Sequence, residues 1–257
     1  MIHPTAIVDP KAEITDGVEV GPYCIIEGDV LIGEGTKIGP HVVIREGTRI
    51  GKRCQIFQFA SVGEVPQSFA YQGEKTYLLI GDQNIIRECV TLHRGTQQGK
   101  GKTVIGNDNF FMAYSHVAHD CLIGNHVIMA NGAALGGHIL IEDHAIIGGL
   151  VAVHQFCRIG THAFIGGFSG VQSDIPPYTL AAGGRTKLFG LNLVGLKRSH
   201  FPEETLRALK KAYRVIFRSG LTMEKAIKQV KEDGISQMPE VQHLLQFIQN
   251  SKRGICR

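Results

Sequence analysis

A six-residue repeat of aliphatic residues constrains the fold of this chain more than any other feature of its sequence. Stepping by six from Ile2, eleven consecutive positions down to Val62 are all Ile or Val. The step resumes at Ile80, Ile86 and Leu92, and after a shift of one residue it runs from Ile105 to Val171. A helix has a period of 3.6 and a strand a period of 2, so neither explains a period of six. Short strands joined by tight corners explain it, and they predict a stacked solenoid.

Three hexads close one triangular coil of about 18 residues, with the aliphatic side chain pointing inward. Coils then stack at about 4.8 Å, and each buried Ile or Val contributes roughly 1.5–3 kcal/mol. Glycine follows the aliphatic position in many hexads, where we expect it to tolerate the backbone angles of the turn. Small or β-branched residues prevail four positions after the aliphatic one, and four cysteines share that inward position: Cys24, Cys54, Cys121 and Cys157. We therefore interpret these cysteines as core residues.

The repeat predicts a mainly β domain over residues 1–185, with two inserted loops at 63–79 and 93–104 and a C-terminal α-helical domain over 186–257. Such loops often carry binding residues on a rigid scaffold. A glycine-rich stretch, Ala181–Arg185, is expected to be a linker. Helical periodicity predicts one helix ending before Gly220, a second capped by Thr222 and a third around Val241–Ile248. The first helix carries a basic stripe: Arg207, Lys210, Lys211, Arg214 and Arg218.

Composition excludes several classes of protein. A formal net charge of +4 is too small to indicate nucleic acid as a partner. No apolar run approaches the roughly 18 residues of a membrane span, so no membrane insertion is expected. The N-terminus lacks the pattern of a signal peptide, and the six cysteines form no CxxC pair, which favours a cytoplasmic protein.

The stretch Ser115–Asp120 concentrates the chemistry. It places His116, His119 and Asp120 within five residues, with His119 at an outward corner of a coil. One coil later, His138 lies above Asp120, beside Gly137; His154 and Gln155 lie near the coil after that. Several polar residues thus converge on one edge of a stiff wall, which suits a general base held by a neighbouring carboxylate.

A second set of histidines offers a competing interpretation. His126, His144 and His162 recur one coil apart, in a column that begins at Asp108. Imidazoles beside a carboxylate are typical of metal sites. A straight column, however, spreads its side chains along the axis and does not converge them on one point, so we predict no metal.

Several segments together resemble the UDP-N-acetylglucosamine O-acyltransferase family of hexapeptide-repeat acyltransferases. They are the hexads, His116–Cys121, Ala145–Gly149, Ala152–Cys157, Pro176–Tyr178, Gly195–Arg198 and the helical tail. The resemblance implies a left-handed parallel β-helix and a homotrimer with active sites between subunits. It implies transfer of an R-3-hydroxyacyl group from acyl carrier protein to the 3-hydroxyl of UDP-N-acetylglucosamine, in lipid A biosynthesis. No cofactor is implied, because the acyl group arrives on the phosphopantetheine of the carrier protein.

By the same resemblance, His119 is the general base, Asp120 supports it, and the backbone N–H of Gly137 stabilises the oxyanion. His116, His138, His154 and Gln155 line the sugar and acyl site. The nucleotide is held by Gln67 of the first loop together with Asn192 and Arg198, and Gly167 gives room to a long acyl chain at the gate of the acyl tunnel, whose far end lies at Arg185. The basic stripe meets the acidic carrier protein.

The sequence departs from the family pattern where the diphosphate is bound. Ala70 stands in place of a lysine and Ser199 in place of a second arginine, and only Lys75 is available nearby to compensate. Three alternatives stay open at this point: a relative that acylates a 3-amino UDP-sugar, a β-helical metal-dependent hydratase, and a non-enzymatic scaffold. The loops and helical tail argue against the scaffold.

Overall fold

The computed structural model describes all 257 residues and is dominated by short strands in three sheets, whose strands are parallel except for the last strand of one sheet. Strands are numbered along the chain. Face 1 contains β1 (Ile7–Val8), β4 (Ile25–Ile26), β7 (Val43–Ile44), β10 (Ser61–Glu64), β13 (Thr91–His93), β16 (His116–Val117), β19 (Ala134–Leu135), β22 (Ala152–Val153) and β25 (Gly170–Val171). Face 2 contains β2 (Glu13–Ile14), β5 (Leu31–Ile32), β8 (Thr48–Ile50), β11 (Tyr77–Ile80), β14 (Lys102–Ile105), β17 (Leu122–Ile123), β20 (Leu140–Ile141) and β23 (Arg158–Ile159). Face 3 contains β3 (Glu19–Val20), β6 (Lys37–Ile38), β9 (Gln55–Ile56), β12 (Ile85–Ile86), β15 (Phe110–Phe111), β18 (Ile128–Met129), β21 (Ile146–Ile147), β24 (Phe164–Ile165), β26 (Thr179–Ala182) and β27 (Lys187–Leu191).

The hexads are the building units of this prism, a left-handed parallel β-helix as predicted. From Val8 to Val171 each aliphatic position ends or lies in a strand, and it aligns with its counterpart in the neighbouring coil, as Val117 does with Leu135. Because these side chains all point inward, they form one continuous core of 44 buried residues. The prediction that Cys24, Cys54, Cys121 and Cys157 lie in this core is confirmed, since all four are fully buried.

The corners correct the expected role of glycine. Glycines that follow the aliphatic position, such as Gly33 and Gly136, do not have positive φ; a Cβ there would meet the backbone of the next coil at 2.6–2.9 Å. The left-handed backbone occurs two residues later, mostly at non-glycine residues such as Asp120 and His138, both with φ of 60°. Where glycine follows the aliphatic position, it allows the neighbouring coils to approach closely. The left-handed corner conformation falls mostly to residues that carry side chains.

The two insertions leave the prism at the same corner, between faces 1 and 2. The first connects β10 to β11, and the second connects β13 to β14. The second folds back on the wall of the prism through hydrogen bonds from the N–H groups of Thr96 and Lys100 to the Asp120 side chain. The insertions therefore lie on the corner that also carries His119 and Asp120.

The C-terminal part differs from expectation at its start. The glycine-rich stretch predicted as a linker is a tight turn, because β26 and β27 pair antiparallel across Gly183–Thr186. The helices that follow are α1 (Leu193–Arg198), α2 (Glu203–Arg218), α3 (Met223–Glu232), a 3₁₀ turn (Ile235–Gln237) and α4 (Pro239–Gln249). The three predicted helices correspond to α2, α3 and α4, and Thr222 caps α3 as predicted by accepting from the N–H of Lys225.

The helices have their own apolar cluster and dock on the end of the prism. At the contact, the guanidinium of Arg158 lies 4.1 Å from the centroid of the Phe247 ring, and His243 Nε2 lies 2.7 Å from Glu142 Oε2. The residues after α4 return to the end of face 2, where the N–H of Cys256 donates to the carbonyl of Asp174. None of the helices has both the length and the apolar character needed to cross a bilayer.

Candidate functional site at the corner between faces 1 and 2

His119 and Asp120 form a hydrogen-bonded pair at this corner. Nδ1 of His119 lies 2.8 Å from Oδ2 of Asp120, and because a carboxylate only accepts, Nδ1 carries the proton. The lone pair of the neutral imidazole is then on Nε2. The side chain of His119 is 14% exposed, whereas that of Asp120 is 1% exposed. The pair therefore has the form of a base oriented by a buried carboxylate.

The second loop surrounds the Asp120 carboxylate with donors. Thr96 donates from Oγ1 at 2.6 Å to Oδ2 and from its backbone N–H, and the N–H of Lys100 donates at 3.2 Å to Oδ1. Burial raises the pKa of Asp120, but the hydrogen bonds from Thr96, His119 and Lys100 outweigh it, so the pKa lies below its ordinary value. Asp120 is consequently an anion at neutral pH.

The next coil completes the surroundings of His119. His138 Nε2 lies 3.8 Å from Asp120 Oδ2, and the His119 and His138 rings meet edge to face at a centroid distance of 5.1 Å. Burial, together with the nearby His119, lowers the pKa of His138. The Cα of Gly137 lies against the imidazole of His119, since a Cβ there would lie 2.5–3.1 Å from the ring atoms. The N–H of Gly137 donates to no backbone carbonyl.

His116 lies on face 1 beside the pair. Its Nδ1 is 2.7 Å from Thr91 Oγ1, and its ring meets that of His93 edge to face at 4.8 Å. Burial and the neighbouring imidazoles lower the pKa of both histidines, that of His93 to about 4. Both are therefore neutral polar groups in the wall of the site.

His154 and Gln155 lie one coil further and are exposed. His154 is held by the C-terminal tail, because Nη2 of Arg253 donates to its Nδ1 at 2.7 Å. A cavity of about 640 Å³ opens between this tail and the corner. Its lining includes Asp120, His138, Phe156, Lys252 and Arg253. The cavity thus brings the Asp120 carboxylate, the His138 imidazole and cationic side chains of the tail together beside the His119–Asp120 pair.

Of the other predicted binding residues, only Gln67 belongs to this corner within one chain, because it lies on the first insertion. Gln67 is exposed on the first loop, Gly167 lies on the corner between faces 3 and 1, and Arg198 is exposed at the end of α1. Asn192 caps α1, accepting from Gly195 and donating to the carbonyl of His162. Lys75, the expected substitute for a family lysine, lies 2.9 Å from Asp29 in an ion pair.

Two groups of side chains bear on metal binding. His119, Asp120 and His138 offer ligand atoms within 4.8 Å of one another. Oδ2 of Asp120, however, already accepts from Thr96 and His119, so this donor set fits hydrogen bonding better than coordination. In the other group, the rings of His126, His144 and His162 stack nearly parallel, with centroids 4.6–4.7 Å apart. As expected for a column, they do not converge on one point.

Sequence reasoning missed three residues of the site. His93 lies at the start of the second insertion and Thr96 lies within it. Their position next to a break in the repeat was the signal that could have indicated them. Arg253 reaches His154 from 99 residues away, and no local pattern marks it.

Comparison with known proteins gives a consistent result over the whole chain. A family model described as Udp N-acetylglucosamine O-acyltransferase, Domain 2, matches residues 174–256, and one described as Bacterial transferase hexapeptide (six repeats) matches residues 29–63 and 102–137. The acyl-[acyl-carrier-protein]–UDP-N-acetylglucosamine O-acyltransferase of Thermodesulfovibrio yellowstonii is 57% identical, over 100% of this chain and 99% of that relative.

Solved structures show the same similarity. LpxA from Acinetobacter baumannii has a TM-score of 0.97 and 48% identity, covering 100% of this chain and 99% of that one. The UDP-N-acetylglucosamine acyltransferase of Francisella novicida also has a TM-score of 0.97, at 41% identity, covering 100% and 94%.

Proposed function

Because the chain belongs to the UDP-N-acetylglucosamine O-acyltransferase family, we propose that it transfers an R-3-hydroxyacyl group from acyl carrier protein to the 3-hydroxyl of UDP-N-acetylglucosamine. This is the first step of lipid A biosynthesis. The observation that supports the chemistry is the His119–Asp120 pair, whose 2.8 Å hydrogen bond leaves Nε2 of a neutral imidazole as the base.

In the proposed reaction, Nε2 of His119 takes the proton of the 3-hydroxyl while that oxygen attacks the thioester carbonyl. Asp120 holds the ring in the required tautomer and stabilises the imidazolium. The N–H of Gly137 donates to the oxyanion of the tetrahedral intermediate, a contribution often worth about 2.7–4 kcal/mol per donor. When the C–S bond breaks, the imidazolium returns its proton to the phosphopantetheine sulfur. This chemistry uses the protein's own residues, and neither a metal nor a resident cofactor enters it.

Substrate binding in this proposal involves more than one subunit. His116, His138, His154 and Gln155 would line the sugar and acyl site, and Gln67 would reach it from the first loop at the same corner. Gly167, Asn192 and Arg198 would come from the opposite corner and from helix α1, which lie elsewhere in one chain. A homotrimer would bring them together. Its interface is favoured along the corner between faces 3 and 1, where large apolar side chains are 57–76% exposed: Tyr23, Phe59, Tyr114, Leu150 and Phe168.

The proposed carrier-protein surface is the exposed part of the basic stripe on α2. Lys211 is paired with Asp233 at 2.9 Å, and Arg218 donates to the carbonyl of Leu188. Arg207, Lys210 and Arg214 have no carboxylate partner, so they are available to an acidic protein.

The test of the proposed function is His119→Ala. We expect the variant to form the same oligomer as the parent by light scattering and to lose hydroxyacyl transfer by a factor of about 10²–10⁴, the usual contribution of a general base. His3→Ala, a change of an exposed histidine in the first coil, serves as control and should transfer at the parental rate. Turnover of His119→Ala near that of the parent would refute the general-base role.

The same assay determines the substrates. Carrier proteins bearing hydroxyacyl chains of different lengths are tested against UDP-N-acetylglucosamine and against its 3-amino analogue. Faster acylation of the amino sugar would replace the O-acyltransferase assignment by N-acylation at the same site.

A further inference from the structure

The second insertion is a functional element that the repeat does not explain. Between His93 and Lys102 the chain leaves the prism, and its tip closes over Asp120. Thr96 is 2% exposed and gives two donors to the carboxylate, Oγ1 at 2.6 Å and the backbone N–H at 3.1–3.2 Å.

The loop is fitted closely to the carboxylate. Gly99 packs against Asp120 so tightly that a Cβ at this position would overlap the carboxylate atoms. The N–H of Gly99 in turn donates to Thr96 Oγ1 at 3.2 Å, which leaves the hydroxyl proton of Thr96 for Asp120. The loop thus fixes the direction of one hydroxyl group in a buried site.

We propose that Thr96 is a positioning residue, whose hydroxyl and N–H groups hold the Asp120 carboxylate so that Oδ2 faces Nδ1 of His119. This inference rests on the proposed function, in which His119 is the base. An Asp120 side chain without these donors could rotate away from the imidazole, and the ring would lose the contact that keeps Nδ1 protonated and Nε2 basic.

Apart from His119, Thr96 is the main hydrogen-bond donor to the Asp120 carboxylate, as the groups that face this carboxylate show. On its own coil Asp120 faces His119, and from the next coil it faces His138 at 3.8 Å. From the loop it receives the N–H of Lys100, and Lys252 and Arg253 line the same cavity. Only Thr96 places a side-chain hydroxyl on the Oδ2 atom that His119 uses.

The experiment compares Thr96→Val, Thr96→Ser and the parent, using acyl carrier protein and the UDP-sugar as substrates. Thr96→Val keeps the shape and the backbone N–H but removes the hydroxyl. We expect kcat to fall roughly 10- to 100-fold, because displacing a general base by up to about 1 Å lowers the rate by about that factor. We expect KM for the UDP-sugar to change less than about twofold, since Thr96 is buried and its hydroxyl is bonded to Asp120. Thr96→Ser should restore most of kcat.

A double-mutant cycle separates positioning from a general structural effect. In an Asp120→Asn background, Thr96→Val should cost no further activity, because the contact it serves is already lost. Gln97→Ala, an exposed change in the same loop, is the control and should leave kcat unchanged. If Thr96→Val does not fold, Gly99→Ala, which displaces the carboxylate directly, must give the same split between kcat and KM.

Parental kcat in Thr96→Val, or an equal loss in the Asp120→Asn background, would overturn the inference. Absence of hydroxyacyl transfer in the parent protein would overturn the proposed function, and the positioning role with it.

Discussion

Gly137 is the residue on which the imidazole of His119 rests. Its φ is not positive, so the backbone would accept any L-residue; the requirement for glycine comes from the ring, which occupies the space of a Cβ. At the scale of single residues, therefore, the lack of a Cβ at position 137 is as necessary to the site as the side chains that react.

Replacement of Gly137 by alanine tests this contact. The added methyl group would lie 2.5–3.1 Å from the ring atoms of His119, so the imidazole must move away from Asp120. We expect kcat/KM to fall by about 10²-fold, the usual effect of a displacement near 1 Å, with little change in melting temperature. Gly190→Ala, where a Cβ meets nothing within 4 Å, is the control. Parental activity of Gly137→Ala would show that the ring tolerates displacement.

The two insertions are linked to each other at the scale of elements. Arg94 of the second loop is buried, and its guanidinium donates to the carbonyl of Glu46 at 2.9 Å and to the hydroxyl of Tyr71, in the first loop, at 3.0 Å. The loop that orients Asp120 thus also anchors the loop that carries Gln67.

Loss of this anchor is expected to free the first loop. Arg94→Met keeps an apolar stem but removes both hydrogen bonds, which typically contribute about 1.5–3 kcal/mol each when the donor is charged. Trypsin should then cleave after Lys75 several times faster than in the parent, as followed by mass spectrometry. Tyr71→Phe, which removes only the hydroxyl partner, should show a smaller increase. Equal cleavage of Arg94→Met and the parent would show that the loop is held by other contacts.

Buried imidazoles make the stability of the whole molecule dependent on pH. Burial lowers the pKa of His93 and of His162 to about 4, with further lowering by neighbouring imidazoles. The folded protein holds them neutral, while an unfolded histidine titrates near 6.5. The stability that these two neutral histidines contribute is therefore fully present above about pH 6.5 and is lost as the pH falls towards 4.

His162→Phe isolates one of these contributions. Phenylalanine keeps the stack between His144 and Phe201 but cannot bind a proton. The free energy of unfolding is measured in denaturant at pH 7 and at pH 4.5. Between these two pH values, the variant should lose about 2–3 kcal/mol less than the parent does. His126→Phe, at the exposed end of the same column and with the same left-handed backbone, should retain most of the parental pH dependence. An unchanged pH dependence in His162→Phe would assign it to other groups.

The aliphatic hexads by themselves determined the prism, because a period of six buries its side chains in only one arrangement and each coil repeats the last. They also placed Asp120 under His138, since positions one coil apart must stack. The role of glycine was misjudged, because the distance between neighbouring coils is a property of the stack and not of one hexad. Thr96, His93 and Arg253 emerged only from the tertiary structure. A loop outside the repeat has no register from which the position of its tip could be predicted. The same holds for the C-terminal tail, in which Arg253 contacts a residue 99 positions earlier in the chain.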